Sequence, residues 1–157
     1  MEPSITGPIV RLPADGRTVD LGGFTVRVLA DVDETTGTLA LIETTERTTG
    51  LGPPIHIHHD TAESFVVLAG SYVMWLDGDE VECPVGAFVY VPRGLRHTFW
   101  SAADESRKLN LYTPAGMVGY FDELAAAIAA GVDAAGLDAI ATRYHMEVVG
   151  PIPEGYL

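Results

Sequence analysis

The sequence predicts an all-β sandwich or barrel that ends in a short helical tail. Between residues 7 and 113, short β-prone apolar runs alternate with turns containing glycine, proline or aspartate, a pattern typical of such folds. After Pro114 the composition changes to an alanine-rich segment with helical spacing of its apolar residues. A chain of 157 residues with 47% hydrophobic residues fits one domain with its own core, residues 1–157.

The predicted strands follow one another at short, nearly regular intervals. A hairpin turn is predicted at Asp77 and Gly78, since Asp-Gly is a strong signal for a tight turn between antiparallel strands. The strands are expected at residues 26–29, 38–42, 64–69, 71–76, 81–84, 87–91, 96–100 and 109–112.

The tail predicts two helices over about residues 117–145. Tyr120, Phe121, Leu124 and Ile128 recur at helical spacing and place the first helix at 117–130. The second helix is expected at 133–144. The pattern leaves open whether the tail packs on the outside of the barrel or forms a lid over a pocket.

Charge and cysteine content exclude several classes of partner. Twenty-two acidic residues against nine basic ones give a formal net charge of −13, which repels phosphate backbones and anionic lipids. We therefore expect neither nucleic acid nor a membrane as partner. Cys83 is the only cysteine, so no internal disulfide can form and a buried thiol is expected. No stretch approaches the ~20 apolar residues of a membrane span, and the expected location is the cytoplasm.

Three histidines and one glutamate have spacings that suit a single metal ion. His56 and His58 are two residues apart, so on a strand their side chains lie on the same face. Glu63 follows after a gap that fits a tight connection, and His97 arrives from a distant strand. Three imidazole nitrogens and a carboxylate oxygen suit zinc, iron, nickel, copper or manganese, and suit calcium poorly.

At these residues the chain resembles the cupin superfamily. The first motif of that family is Gly, five residues, His-x-His, three or four residues, Glu, six residues, Gly. Gly50, His56, His58, Glu63 and Gly70 meet every position.

The second cupin motif is Gly, five residues, Pro-x-Gly, two residues, His, three residues, Asn. Gly86, Pro92, Gly94 and His97 meet it, whereas Ser101 stands where the family has Asn. That departure leaves the ligands untouched and concerns only a structural contact at the end of a strand.

The resemblance implies a cupin-type β-barrel, the double-stranded β-helix or jelly roll, at about residues 7–113. In this barrel His56, His58, Glu63 and His97 would hold one divalent transition metal ion. It also implies a homodimer, since cupins commonly pair through barrel faces or exchanged N-terminal strands. The apolar segment 5–12 could serve in that exchange.

Strand parity predicts the residues around the metal. If Glu63 points inward, so do Phe65 and Val67, and if His97 points inward, so do Leu95 and Phe99. These four apolar residues predict a substrate pocket for a flat aromatic or polyketide-like molecule. The alternative is that Phe65 and Phe99 are core residues, since a single sequence does not separate a pocket wall from packing.

The charged and polar neighbours of the motifs are expected outside that pocket. Arg93 and Arg96 fall on turn or opposite-face positions, so no inward cation is expected. His59 is expected at the surface in preference to a position beside the ligands, and His145 is expected to be structural.

The resemblance implies several activities on one scaffold. The chain looks most like the bacterial flavonol (quercetin) dioxygenases, in which a metal binds the substrate's enolate oxygens before O2 cleaves the heterocycle. The alternatives are a non-redox isomerase or polyketide cyclase, and a protein that binds a small ligand without turnover. Glu63 is the expected catalytic base, as well as or instead of a ligand, because an enol must lose its proton before it binds the metal strongly.

Overall fold

The computed structural model of the protein describes residues 7–154 and Tyr156. Within these residues the strands pair in antiparallel fashion and the helices lie near the C-terminal end. The elements are β1 Thr18–Asp20, β2 Phe24–Ala30, β3 Ala40–Glu46, β4 His56–His58, β5 Ala62–Ala69, β6 Ser71–Leu76, β7 Asp79–Pro84, β8 Phe88–Val91, β9 His97–Ser101, β10 Ser106–Thr113, α1 Val118–Ala129, α2 Ala134–Arg143 and β11 Met146–Val148.

The strands form two sheets of a jelly-roll barrel. One sheet has the order β1-β2-β3-β10-β5-β8, and the other has the order β11-β4-β9-β6-β7. Each of the eight predicted strands overlaps an observed one, and the strands beside the Asp77-Gly78 turn pair directly, Leu76 opposite Asp79. The predicted fold class, an all-β barrel with a short C-terminal helical tail, is confirmed.

The inward faces of the strands are fixed by alternating burial. In β2 and β3 every second residue is buried, as expected for strands with one face on a core. In β10 the buried set is polar at its first three positions, Ser106, Lys108 and Asn110, while Leu109 and Leu111 lie on the half-buried outer face. The barrel interior therefore contains polar groups that need partners.

The apolar interior divides into two clusters. The helix-side core lies between the barrel and the tail, and the hairpin-side core lies against β6 and β7. The main helix-side residues are Leu21, Phe24, Val26, Val28, Ala40, Ile42, Tyr112, Met117, Val118, Phe121, Leu124, Ala141, Met146 and Tyr156. The hairpin-side residues are Phe65, Val67, Tyr72, Met74, Cys83, Val91 and Phe99, with Leu76, Ala87, Val89 and Leu95 packed against them.

The tail packs on the barrel and then returns to it. α1 buries Val118, Phe121 and Leu124. Asp133 caps the N-terminus of α2, and its side chain accepts a hydrogen bond from the Gly136 backbone N–H. After α2 the chain adds β11, which pairs with β4. The sequence predicted a terminal helical segment and missed this strand. Neither helix is long and apolar enough to cross a membrane.

The segment proposed for dimer exchange lies partly outside the described residues. Ile5 and Thr6 are not described, whereas Val10 and Leu12 are exposed. The homodimer stays a prediction, and light scattering at micromolar concentration would test it.

Candidate metal centre

Three strands bring the four predicted ligands together. β4 carries His56 and His58, β5 carries Glu63 near its start, and β9 begins with His97, which pairs directly with His56. One ligand atom from each residue lies within 4.8 Å of the others, and all four residues are buried. The set can hold one metal ion, and the spacing of the sequence motifs predicted its members.

Backbone carbonyls fix the orientation of two of the imidazoles. His56 Nδ1 lies 2.7 Å from the Pro54 carbonyl oxygen, and His97 Nδ1 lies 2.9 Å from the Leu95 carbonyl oxygen. A carbonyl accepts only, so both Nδ1 atoms carry the hydrogen and both Nε2 atoms offer a lone pair. This is the tautomer that a metal ligand needs.

The contacts around Glu63 fit a cation. Glu63 Oε2 lies 3.0 Å from His58 Nε2 and 3.1 Å from His97 Nε2. Because His97 donates through Nδ1, its Nε2 lone pair faces the carboxylate, an arrangement that a proton or a metal ion must relieve. His58 Nδ1 is buried without a hydrogen-bond partner in the described part of the chain. Nitrogen and carboxylate donors of this kind suit a transition metal.

Burial and neighbouring charges set the protonation states. Burial lowers the pKa of His56 well below its usual value, and His97 and His58 add to the effect. For Glu63, burial alone would raise the pKa, but the hydrogen bonds and charges of His58 and His97 outweigh it and hold the pKa well below its usual value. A neutral imidazole and an ionised carboxylate are the states in which these groups bind metal.

The loop ahead of β4 is tied to β9, which positions His56. The Ser101 hydroxyl donates to the Thr48 carbonyl oxygen at 2.6 Å and accepts from the Leu51 N–H at 3.0 Å. Gly52 packs so tightly here that an added Cβ would lie 1.7 Å from the Phe99 carbonyl oxygen. Ser101, the residue that departs from the second motif, therefore makes a contact of its own.

The metal ligands open onto a small cavity of about 50 Å³. Most of its wall comes from the helix-side core and the loop before β4, and no Arg or Lys lines it among the described residues. The lining residues are Phe24, Thr44, Glu46, Pro53, Pro54, His56, His58, Glu63, Phe99, Asn110, Tyr112, Met117, Tyr120, Phe121, Met146 and Tyr156.

The predicted pocket residues lie in different places. Phe99 lines the cavity, whereas Phe65, Val67 and Leu95 belong to the hairpin-side core and do not line it. Strand alternation correctly predicted that Phe65 and Val67 point inward. The barrel interior extends to both sides of the ligands, however, and all three residues pack on the side away from the tail. The aromatic residues of the wall instead come largely from β2, β10 and the tail. These elements lie outside the two motifs, so strand alternation within the motifs gives no information about them.

The remaining polar predictions can be compared with the structure directly. Arg96 is exposed and bonds to Asp77 at 2.7 Å, and Arg93 is exposed as well. His59 is exposed and lies 2.8 Å from Glu147 Oε2. His145 is also exposed, beyond the ligand set.

A buried cation contradicts the expectation that none points inward. Lys108 of β10 is fully buried, and its ammonium donates to Thr44 Oγ1 at 2.8 Å and to Asn110 Oδ1 at 2.9 Å. Glu46 Oε1 lies 3.6 Å from the same nitrogen. The sequence prediction began this strand at residue 109 and so missed Lys108. The pattern of this strand gave no signal for Lys108, because Leu109 and Leu111 predict that the opposite face is the buried one.

A comparison with protein-family models indicates the class of protein. Residues 46–112 match the family model described as Cupin domain, and this region contains all four ligands. Together with the jelly-roll fold, the match supports membership of the chain in the cupin superfamily.

Solved structures share the fold at low identity. KdgF from a Halomonas species superposes with a TM-score of 0.59 at 16% identity, over 66% of this chain and 92% of that one. An RmlC-like cupin from Shewanella frigidimarina gives 0.59 and 16%, over 67% and 89%. The polyketide cyclase RemF from Streptomyces resistomycificus gives 0.57 and 23%, over 69% and 80%. No curated protein matches the sequence significantly.

Proposed function

We propose that this cupin is a metal-dependent enzyme for a flat aromatic or polyketide-like enol, with dioxygenation of a flavonol-type substrate as the first candidate reaction. The main observation behind this proposal is that the four ligands open onto a cavity walled by aromatic and apolar side chains. Among the described residues, no Arg or Lys lines this cavity. An uncharged, ring-shaped molecule suits such a wall. A phosphorylated one lacks a counter-charge there.

The ligand chemistry favours a divalent transition metal ion. A nickel, iron, manganese, copper or zinc ion held here would act as a Lewis acid toward an enol oxygen, and a redox-active ion would also support reaction with O2. The chain's own contribution is to hold Glu63 and the three imidazoles in ligand-ready form. Rings such as Phe24, Tyr120 and Phe121 would orient the substrate.

A non-redox cyclisation is the second candidate function. The structural likeness to the polyketide cyclase RemF favours it, since RemF has the highest identity among the three structures compared, 23%. A cyclase needs the same enol oxygen held at the ion and the same apolar wall. It differs from the dioxygenase only in using no O2.

Metal analysis combined with an oxygen electrode separates these candidates. We expect about one transition metal ion per chain and O2 uptake when a flavonol is added to the protein. Zinc without O2 uptake, but with conversion of a polyketide-type substrate detected by mass spectrometry, would support the cyclase. Binding of both the flavonol and the polyketide-type substrate without turnover of either by the metal-loaded protein would contradict both candidates and leave a small-molecule-binding protein.

Substitution of Glu63 tests its expected role as a base. Three histidines can still hold the ion, so a base predicts that Glu63→Gln keeps appreciable metal while turnover falls by about 10² to 10⁴. A ligand role alone predicts that metal and activity fall in the same proportion, with activity per bound ion unchanged. Metal content and rate measured on the same preparation decide between them.

A further inference from the structure

Glu46 is a second buried carboxylate on the wall of the metal cavity. It ends β3 on the inward face and is 1% exposed, yet it lies in neither sequence motif. Tyr72 donates its hydroxyl hydrogen to Glu46 Oε2. Burying a carboxylate costs free energy unless it is well paired, so the position calls for a physical reason.

Lys108 is the cation beside this carboxylate. Its ammonium has three acceptors around it, namely Thr44 Oγ1, Asn110 Oδ1 and, at 3.6 Å, Glu46 Oε1. It also lies 3.9 Å from the centroid of the Phe99 ring, a cation–π contact. The barrel thus surrounds a lysine with groups that stabilise its positive charge, and Glu46 is the carboxylate beside it.

The same lysine links Glu46 to the metal ligands. Asn110 accepts from Lys108 through Oδ1, so its Nδ2 is free to donate to Glu63 Oε1, at 3.2 Å. Glu63 then has Oε1 engaged by Asn110 and Oε2 facing His58 and His97. Both oxygens of Glu63 are committed to holding the site together. Glu46 also has a partner at each oxygen, with Oε2 accepting from Tyr72 and Oε1 lying 3.6 Å from the Lys108 ammonium. Within the described residues, however, it makes no hydrogen bond to any of the four ligands, and it lines the same cavity.

We infer that Glu46 is the proton acceptor for the hydroxyl group of the substrate, an inference that rests on the proposed enol substrate. The enol O–H bond breaks, the proton forms an O–H bond with a Glu46 carboxylate oxygen, and the negative charge stays on the substrate oxygen that faces the ligand set. No oxidant or reductant is needed. Glu63 then serves as a ligand, and Lys108 and Tyr72 act as positioning residues for Glu46.

Calorimetric proton counting tests this without any turnover. Zinc-loaded protein is titrated with maltol, a small enol with an adjacent carbonyl oxygen, in buffers that differ in ionisation enthalpy. In the unsubstituted protein Glu46 retains the enol proton, so few protons should reach the buffer. Glu46→Gln should release about one more proton per bound maltol. Equal proton release by the two proteins would overturn the inference.

Control variants separate this effect from misfolding. Glu43→Gln makes the same change on the outer face of β3, where Glu43 pairs with Arg27 at 3.1 Å, and it should keep the unsubstituted proton count. Glu46→Asp keeps a carboxylate and should do so as well, even if Glu46→Gln does not fold. A Glu46→Asp variant that binds maltol but releases the additional proton would also contradict the inference.

Failure of the proposed function gives a different result. If maltol does not bind the zinc-loaded protein, no enol reaches the site, and both the function and the role of Glu46 are wrong. If maltol binds with equal proton counts in all variants, only the role of Glu46 is wrong.

Discussion

The two ends of the barrel interior are built from similar apolar residues but do different work. The hairpin-side core is filled by side chains such as Phe65, Tyr72 and Met74, all nearly inaccessible to solvent. The helix-side core contains four buried aromatic residues against three in the hairpin-side core, yet it leaves a cavity against the metal ligands. The difference arises because β strands alone close the first end, whereas α1, β11 and Tyr156 complete the second.

This contrast explains why the pocket prediction reached only Phe99. Strand alternation tells which face of a strand points inward, and that step was correct for Phe65 and Val67, both buried. Alternation gives no information on which end of the barrel is filled. Function therefore depends on residues that the tail adds from a distance, and any prediction from the motifs alone misses them.

The largest expected effect is loss of metal from the helix-side end. His56→Ala with His58→Ala removes two of four ligands, so we expect the bound metal to fall close to zero while the barrel stays folded. Metal analysis and circular dichroism measure the two quantities. Full metal occupancy in the double variant would show that the ion lies elsewhere.

The same site predicts the pH dependence of metal binding. Protons compete with the metal for imidazole, so affinity should weaken as the pH falls below about 6. Burial holds the pKa of His56 well below its usual value, so protons should compete for this imidazole only at a correspondingly lower pH. Affinity measured from pH 8 to 5 checks this, and a constant affinity would exclude histidine ligands.

The four metal ligands could be predicted from the sequence because fixed motif spacing and strand alternation are local properties. β11 could not be predicted, since three residues are too short to show a period of two. Lys108 and Glu46 were not predicted as inward residues either. In β10, Leu109 and Leu111 face outward and polar residues face inward, which is the reverse of the usual hydrophobic pattern. Such violations of local rules are expected at functional sites.

A matched pair of methionines sharpens the comparison of the two ends. Met74 lies in the hairpin-side core and Met117 lines the cavity, and both are nearly inaccessible. Met74→Ala should lower the free energy of unfolding by about 2–5 kcal/mol and leave maltol affinity unchanged. Met117→Ala should lower the free energy of unfolding by less, because one side of the Met117 side chain already faces the cavity. It should, however, change the affinity for maltol.

Denaturant unfolding and calorimetry on the zinc-loaded variants measure both quantities. Equal stability losses accompanied by equal changes in maltol affinity would mean that the two cores are not functionally distinct. The Met74 variant also serves as the control for general loosening of the barrel, since it lies away from the cavity wall.

The smallest expected effect concerns Ser101, which connects the two ends through β9. Its hydroxyl bonds to Thr48 and Leu51 in the loop that leads to His56. Ser101→Ala leaves the Thr48 carbonyl and the buried Leu51 N–H without this partner, which should cost about 1–3 kcal/mol of unfolding free energy. Because His56 is also held by its pairing with His97, we expect only a small fall in metal affinity. A loss of metal as large as that of a histidine variant would mean that the loop, and not the strand pairing, positions His56.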